Sequence, residues 1–179
     1  MIILLGASAS GKTEVAKELV KNYNFKKVVT YTTRPKREGE VEGKDYNFIS
    51  LDSFKTKMDD GFFFEYVNYN GNFYGTAKSD LTDDSVVILE PNGFKAYRDS
   101  SLPRIVSFYL ESDEEHRIKW MRQRGDSEEK ISERIINDRI SFRQENIKGI
   151  NFVLDSNDLT IPELTKEVND IYKKVLEHK

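Results

Sequence analysis

The sequence predicts an α/β fold with a mostly parallel sheet flanked by helices, and three observations carry that expectation. Short apolar runs alternate with stretches of helical periodicity. The first run ends on a glycine-rich loop that opens directly into a helix. Two further runs, "SVVILE" and "RIVSFYL", have the continuous apolar character of strands buried on both faces and are each followed by a helical pattern.

Each element has its own justification. Residues 2–5, "IILL", form a buried strand ending at Gly6. Over residues 13–23, Val15, Ala16, Leu19 and Val20 recur at three-to-four spacing, so a helix should run to "NYN". Val28 and Val29 suggest a second short strand. Leu51, Phe54 and Met58 line one face of a short helix closed by Gly61. "FFFEYVNYNGNFYG" reads as two β segments around an Asn-Gly turn. Ser112 with Glu115, and Thr160 with Glu163, fit capping boxes at helix starts. The last helix carries Ile161, Leu164, Val168, Ile171 and Val175 on one stripe.

The length of 179 residues suits one domain with a real core, and the interruption over about residues 31–80 reads as an inserted β-rich subdomain. The absence of cysteine excludes disulfides, thiolate zinc sites and a cysteine nucleophile. A formal charge of −3 gives no general affinity for nucleic acid or anionic membranes, so any anion site must be local. "MIILL" is too short to span a membrane and lacks the flanks of a signal peptide; a cytoplasmic protein is expected.

Chemistry enters with "GASASGKT", in which Gly6, Ala7, Ser8, Ala9, Ser10, Gly11, Lys12 and Thr13 match G-x-x-x-x-G-K-[ST] between strand and helix. Small residues let the loop turn its N–H groups inward, the helix start adds partial positive charge, and Lys12 neutralises phosphate oxygens. The Thr13 hydroxyl can ligate Mg2+. Such a triphosphate site could serve a GTPase switch, a motor, an ATPase or a kinase, so the acceptor decides. In "TTRPKREGEVEGKDYNF", Arg34 and Arg37 stand three apart with Tyr46 beyond a turn-rich stretch, and two guanidinium forks with a phenol suit a phosphate monoester dianion. A solvated charged loop is the plainer reading of the same residues.

Taken together, the segments resemble the guanylate kinase family. "TTRPKREGEVEGKDYNFIS" is similar to its monophosphate-binding segment, "FFFEYVNYNGNFYGT" to its base-binding segment and "RQRGDSEEKISER" to its lid, in order along nearly the whole chain. The resemblance implies a core over about residues 1–30, 81–120 and 147–179, a monophosphate-binding subdomain over about 31–80 and a lid over about 121–146. It places Arg34, Arg37, Tyr46 and Tyr74 on the acceptor phosphate, Glu40 on those arginines or the ribose side, and Glu65 on the guanine edge. Thr30 and Thr76 fall where the family has hydroxyl residues, and Arg124 and Arg134 match its lid arginines, with Arg122 a substitute or helper. Arg139 and Arg143 are weaker candidates, since surface cations beside carboxylates are usually just solvated. Independently, a carboxylate offers only acceptors, and guanine presents N1–H and the N2 amino group as adjacent donors, whereas adenine presents a bare acceptor there.

Departures accompany the resemblance. "VILEPNG" puts Ile88 and Glu90 where the family has two aspartates, Glu90 being free to touch the base, hold magnesium through water or end a strand. Trp120 stands where the family often has arginine, the lid loop is about one residue shorter, and "SND" at 156–158 matches the adenine-side asparagine loosely. His116 and His178 receive no role. The implied activity is ATP-dependent phosphorylation of GMP and dGMP with Mg2+, by a monomer or homodimer without nucleic-acid or membrane partners. The alternatives are a related kinase with another phosphorylated acceptor and a non-catalytic binding module of the same shape.

Overall fold

The structure is a computed structural model describing residues 1–36, 39–69, 71–100, 102 and 104–177. Arg37, Asn70 of the Asn-Gly turn and His178 lie outside the described residues. A five-stranded parallel sheet has the order β2-β7-β1-β8-β9, formed by β1 (Ile2–Leu5), β2 (Lys26–Lys27), β7 (Ser85–Ile88), β8 (Val106–Glu111) and β9 (Phe152–Asp155). All four β1 residues are buried, as expected for the middle strand of a sheet covered on both faces. One face packs on α1 (Lys12–Asn22) and α6 (Ile161–Glu177) through Val15, Leu19, Leu164 and Val168. The other packs on α3 (Pro91–Arg98) through Phe94 and Tyr97.

A second, four-stranded sheet has the order β4-β3-β6-β5, from β3 (Tyr31–Thr32), β4 (Asn47–Phe48), β5 (Phe63–Tyr69) and β6 (Asn72–Ala77), with α2 (Leu51–Asp59) against it. Phe54 of α2 stacks on Phe63 at 4.4 Å and meets Phe73 at 5.4 Å, so one face of this sheet is aromatic and covered. Gly75 is required there, because a Cβ would stand 2.9 Å from the Phe63 ring and 3.0 Å from that of Phe54. The remaining helices, α4 (Glu114–Gln123) and α5 (Glu128–Ser141), pack on each other through Met121, Ile131 and Ile135.

Two local expectations are corrected. The second strand is Lys26–Lys27, not the valine pair, because pairing with Ser85 and Val86 is made by backbone groups; Val28 only extends it with one N–H donated to the Val86 carbonyl. The predicted Ser112–Glu115 box is absent: α4 begins at Glu114 after Asp113, and the Ser112 hydroxyl lies 3.3 Å from Asn157 Oδ1 on the neighbouring loop. The Thr160–Glu163 box does form, with Glu163 Oε2 accepting from Thr160 N at 2.9 Å and from its hydroxyl at 2.6 Å.

Candidate functional site

Open parallel sheets bind ligands beyond the carboxyl ends of their strands, where the chain leaves in opposite directions from neighbours. Here that point lies between β1 and its partners. Leu4 pairs with Ile88 and Leu5 with Tyr109, so Gly6 emerges between Leu110 on one side and Glu90 beyond β7 on the other. A Cβ on Gly6 would stand 2.7 Å from the Leu110 carbonyl and closer still to Ser10 Oγ, so the first loop residue can only be glycine. Ala9 and Gly11 adopt φ of 62° and 92°, which folds residues 6–13 into a compact loop before α1.

Within the loop, Lys12 Nζ donates to the Gly6 and Ala7 carbonyls at 2.5 and 2.8 Å. Burial pulls this ammonium below the ordinary lysine range, while Glu90 and Asp138 pull it back up and Arg117 lowers it further. Glu90 is reached by water, yet the surrounding protein raises its carboxyl above the usual range, against the opposing pull of Lys12. Thr13 is exposed on the first turn of α1.

Two residues that the sequence did not single out tie this loop to α4 and α5. Asp138 of α5 accepts from the Ser8 N–H at 3.0 Å and its hydroxyl at 3.2 Å. Arg117 of α4 donates to Asp138 Oδ2 at 2.7 Å and to the Ser8 carbonyl at 3.3 Å. The pair is nearly enclosed, with side-chain exposures of 7% and 12%. An ion pair of that kind is tolerated because the loop's polar groups satisfy what the two charges leave over.

Beside the loop opens a cavity of about 870 Å³, lined among others by Lys12, Thr13, His116, Trp120, Arg124 and Asn157. It thus brings together the P-loop, the predicted Arg124 and the "SND" segment. The exposed arginines Arg124, Arg122 and Arg139 pair with the half-buried Asp126, with Glu128 at 2.7 Å and with Glu114 at 2.6 Å, respectively. Arg134 is exposed on α5 and lies outside the cavity lining; Arg143 is exposed just beyond α5.

Three further predicted residues, Glu65, Tyr74 and Thr76, share the face of the second sheet opposite α2. Glu65 stands directly opposite Thr76, and Thr32 opposite Tyr74. Alternation of side chains therefore aligns Glu65, Thr76 and Tyr74. The fully buried Thr76 donates its hydroxyl to Glu65 Oε1 at 2.7 Å. Burial raises the Glu65 carboxyl above its ordinary range, and the Thr76 bond only partly offsets this. From the core, Tyr97 of α3 packs its ring on Phe64 at 4.7 Å; burial pushes its phenol far above the usual tyrosine range, with Glu65 adding to the effect.

Arg34 donates to Glu40 Oε1 at 2.6 Å and to the Pro35 carbonyl at 2.8 Å, and lies over the rings of Tyr46 and Phe48 at 5.3 and 5.6 Å. Tyr46 in turn meets Tyr74 edge to face at 6.1 Å. The guanidinium, the two phenols and Glu40 thus form one cluster at the edge of the sheet. Thr30 sits half-buried beside it, its carbonyl accepting from Asn47 N at 2.9 Å.

The family model described as guanylate kinase matches residues 1–175. A guanylate kinase of Clostridium tetani is 45% identical over 83 residues, which span 46% of this chain and 40% of that relative's length. A guanylate kinase of Nitratidesulfovibrio vulgaris is 34% identical over 152 residues, covering 80% of this chain and 73% of the relative. Among solved structures, the crystal structure of guanylate kinase from Anaplasma phagocytophilum superposes with a TM-score of 0.68 at 22% identity, over 97% of this chain and 85% of that one, and shows the shared fold. With its P-loop, its polar-faced second sheet and a family match along nearly all its length, the chain belongs to the guanylate kinase family.

Proposed function

We propose that this chain transfers the γ-phosphoryl group of ATP to GMP or dGMP by direct in-line displacement, giving ADP with GDP or dGDP. Phosphorylation of GMP by ATP is the reaction for which the family is named, and family membership makes the chain a phosphotransferase. The observation that best supports the acceptor is Glu65. Its carboxylate has acceptors alone, stands in a partly desolvated place and is held by Thr76. Guanine N1–H and the N2 amino group supply the matching donors, while adenine would leave a buried carboxylate facing an acceptor.

The cluster of Arg34, Tyr46 and Tyr74, with Arg37, receives the acceptor phosphate, and Glu40 fixes the plane of the Arg34 fork. Thr76 and Thr30 support the base side and the entry to the sheet. On the donor side, the N–H groups of residues 6–13 and Lys12 hold the β- and γ-phosphates. Lys12 exchanges the Gly6 and Ala7 carbonyls for phosphate oxygens. Arg124, and Arg134 after movement of α5, take up charge on the transferring group and help to exclude water.

The oxygen donors present suit Mg2+, which takes few protein ligands and keeps several waters: the exposed Thr13 hydroxyl for direct contact and the Glu90 carboxylate through water. When bound, Mg2+ would neutralise charge on the donor phosphates. No general base is needed, because the acceptor phosphate dianion already carries a nucleophilic oxygen. No helix among the described residues is long and apolar enough to cross a membrane; we place the protein in the cytoplasm, as a monomer or homodimer, with nucleotides as its partners.

The test is ADP formation from Mg2+-ATP with GMP, dGMP, AMP, UMP, CMP, dTMP and IMP as acceptors. Turnover restricted to GMP and dGMP, with IMP weaker, is expected. Equal or better turnover with AMP would overturn the base assignment, and no turnover with any acceptor would favour a binding module.

A further inference from the structure

A buried phenol behind the second sheet has no part in that reading. Tyr97 of α3 is 1% exposed, and its ring packs on Phe64 of β5 with centroids 4.7 Å apart. Phe64 is the extra residue of a β-bulge, since Phe63 stands opposite Ala77 and Glu65 opposite Thr76. That extra residue decides where Glu65 points. Phe63 stacks on Phe54 of α2, and strict alternation would send Glu65, two residues on, to the same covered face. The bulge turns it to the face of Thr76 instead, and Tyr97 packs on the residue that makes the bulge.

The other end of the phenol is polar and unmet. Its hydroxyl is buried and makes no hydrogen bond of normal geometry among the described residues. Thr76 and Glu65 both act on it: Thr76 eases loss of its proton, and the Glu65 carboxylate opposes it. Thr76 is itself fully buried and donates to Glu65 Oε1 at 2.7 Å, and a hydroxyl that donates once can still accept. A buried donor left without an acceptor is costly. The Thr76 oxygen is the acceptor that this one is placed to use.

We propose that Tyr97 is a positioning residue for base selection: its ring holds the bulge that aims Glu65, and its hydroxyl, donating to Thr76 Oγ1 as the second sheet settles on α3, fixes the Thr76 proton on Glu65. The relay runs from Tyr97 through Thr76 to Glu65 and moves no proton. Its effect is that the Thr76 hydroxyl cannot turn away, so the carboxylate is held as an ionised acceptor with its other oxygen left for the base. Among the described residues no charged side chain acts on Glu65. Burial raises its proton affinity, Thr76 from β6 lowers it, and the neutral phenol from α3 acts as a dipole through Thr76. The inference rests on the reading of Glu65 as the group that meets the acceptor base.

The Glu65 carboxyl is followed by carbon-13 NMR in the ligand-free protein, its signal assigned by its loss in Glu65→Gln. Tyr97→Phe keeps the ring and removes only the hydroxyl, so the thermal midpoint should stay level while the carboxyl titrates about half a pH unit higher than in wild type. By calorimetry the Kd for GMP should rise about fivefold, with that for ATP unchanged. Thr76→Val should also raise the Glu65 titration, and Tyr97→Phe should add nothing in that background. An unmoved Glu65 titration in Tyr97→Phe, or the same movement with and without Thr76, would overturn the proposal. The carboxyl titration needs neither ligand nor turnover. A titration and a GMP affinity that follow Tyr97 without ADP formation would sink the kinase reading alone, and ADP formation with the titration unmoved would sink the positioning role alone.

Discussion

On the proposed donor side of the cleft, Lys12 is held by two neutral carbonyls inside a loop hung from the central buried strand. On the proposed acceptor side, Arg34 is held by a carboxylate at the edge of a small sheet that rests on phenylalanines. The two cations are thus prepared differently for a phosphate. Lys12 is a half-buried charge held by neutral carbonyls, with Glu90 and Asp138 acting on it only through space, so on the proposed reading a triphosphate supplies the counter-charge that its own hydrogen bonds lack. Arg34 is already compensated and oriented by Glu40, so on the proposed reading a monophosphate would share it with that carboxylate. If the proposed function holds, donor affinity comes from a cation that lacks a paired carboxylate, and acceptor selectivity from a cation and a carboxylate already fixed in place.

The sharpest way to break the comparison is to remove Lys12. Lys12→Ala should lower kcat by about 10³-fold or more, while the thermal midpoint stays level or rises, since a charge that burial disfavours has been deleted. A collapsed fold would mean that the lysine bonds to Gly6 and Ala7 hold the loop up rather than waiting for phosphate.

Next in size is the ion pair behind the loop. Asp138→Ala leaves Arg117 enclosed without its partner and should cost about 3 kcal/mol of stability in a denaturant melt. The double variant Arg117→Leu with Asp138→Leu should recover most of that loss while KM for ATP stays raised, because Ser8 has lost its acceptor. Recovery of both would reduce the pair to packing.

On the acceptor side, Glu65→Gln should raise KM for GMP about 100-fold and leave KM for ATP nearly unchanged. Only the ionised carboxylate offers guanine two acceptors, and its folded-state proton affinity is raised by burial. KM for GMP should therefore climb as pH falls, beginning at a higher pH than an ordinary glutamate would set, and the Gln variant should flatten that limb. The smallest effect belongs to Arg139, whose exposed pair with Glu114 should be lost in Arg139→Ala without measurable change in melting. A large loss of kcat there would instead mark it as a donor-phosphate ligand.

Where backbone order and side-chain pattern agree, the sequence was easy to read. The "IILL" strand, the "GASASGKT" loop and the stripe of α6 with its Thr160–Glu163 box all follow from local rules that the tertiary structure leaves intact. The charged stretch around Tyr46 offered candidate phosphate-binding residues but little legible structure. Its strands β3 and β4 are two residues each, and only pairing with the longer β6 and with each other defines them.

The misses have one cause. Ser112 bonds to Asn157 rather than capping α4, Lys26 and Lys27 take the strand that their valine neighbours seemed to claim, and Arg117 meets Asp138 across 21 positions. Each is a long-range hydrogen bond or register that overrides a local preference. The stacked rings of His116 and Trp120 were within reach, since an i, i+4 aromatic pair on a polar helix is a local signal.

The central claim is that Glu65 reads the guanine edge, and kcat/KM for GMP, IMP and AMP measured in wild type and in Glu65→Gln tests it most directly. The account predicts the order GMP, IMP, AMP in wild type, with the gap between GMP and AMP narrowing by about two orders of magnitude in the variant. An unchanged ratio of GMP to AMP in Glu65→Gln would contradict it and move base selection elsewhere in the cleft.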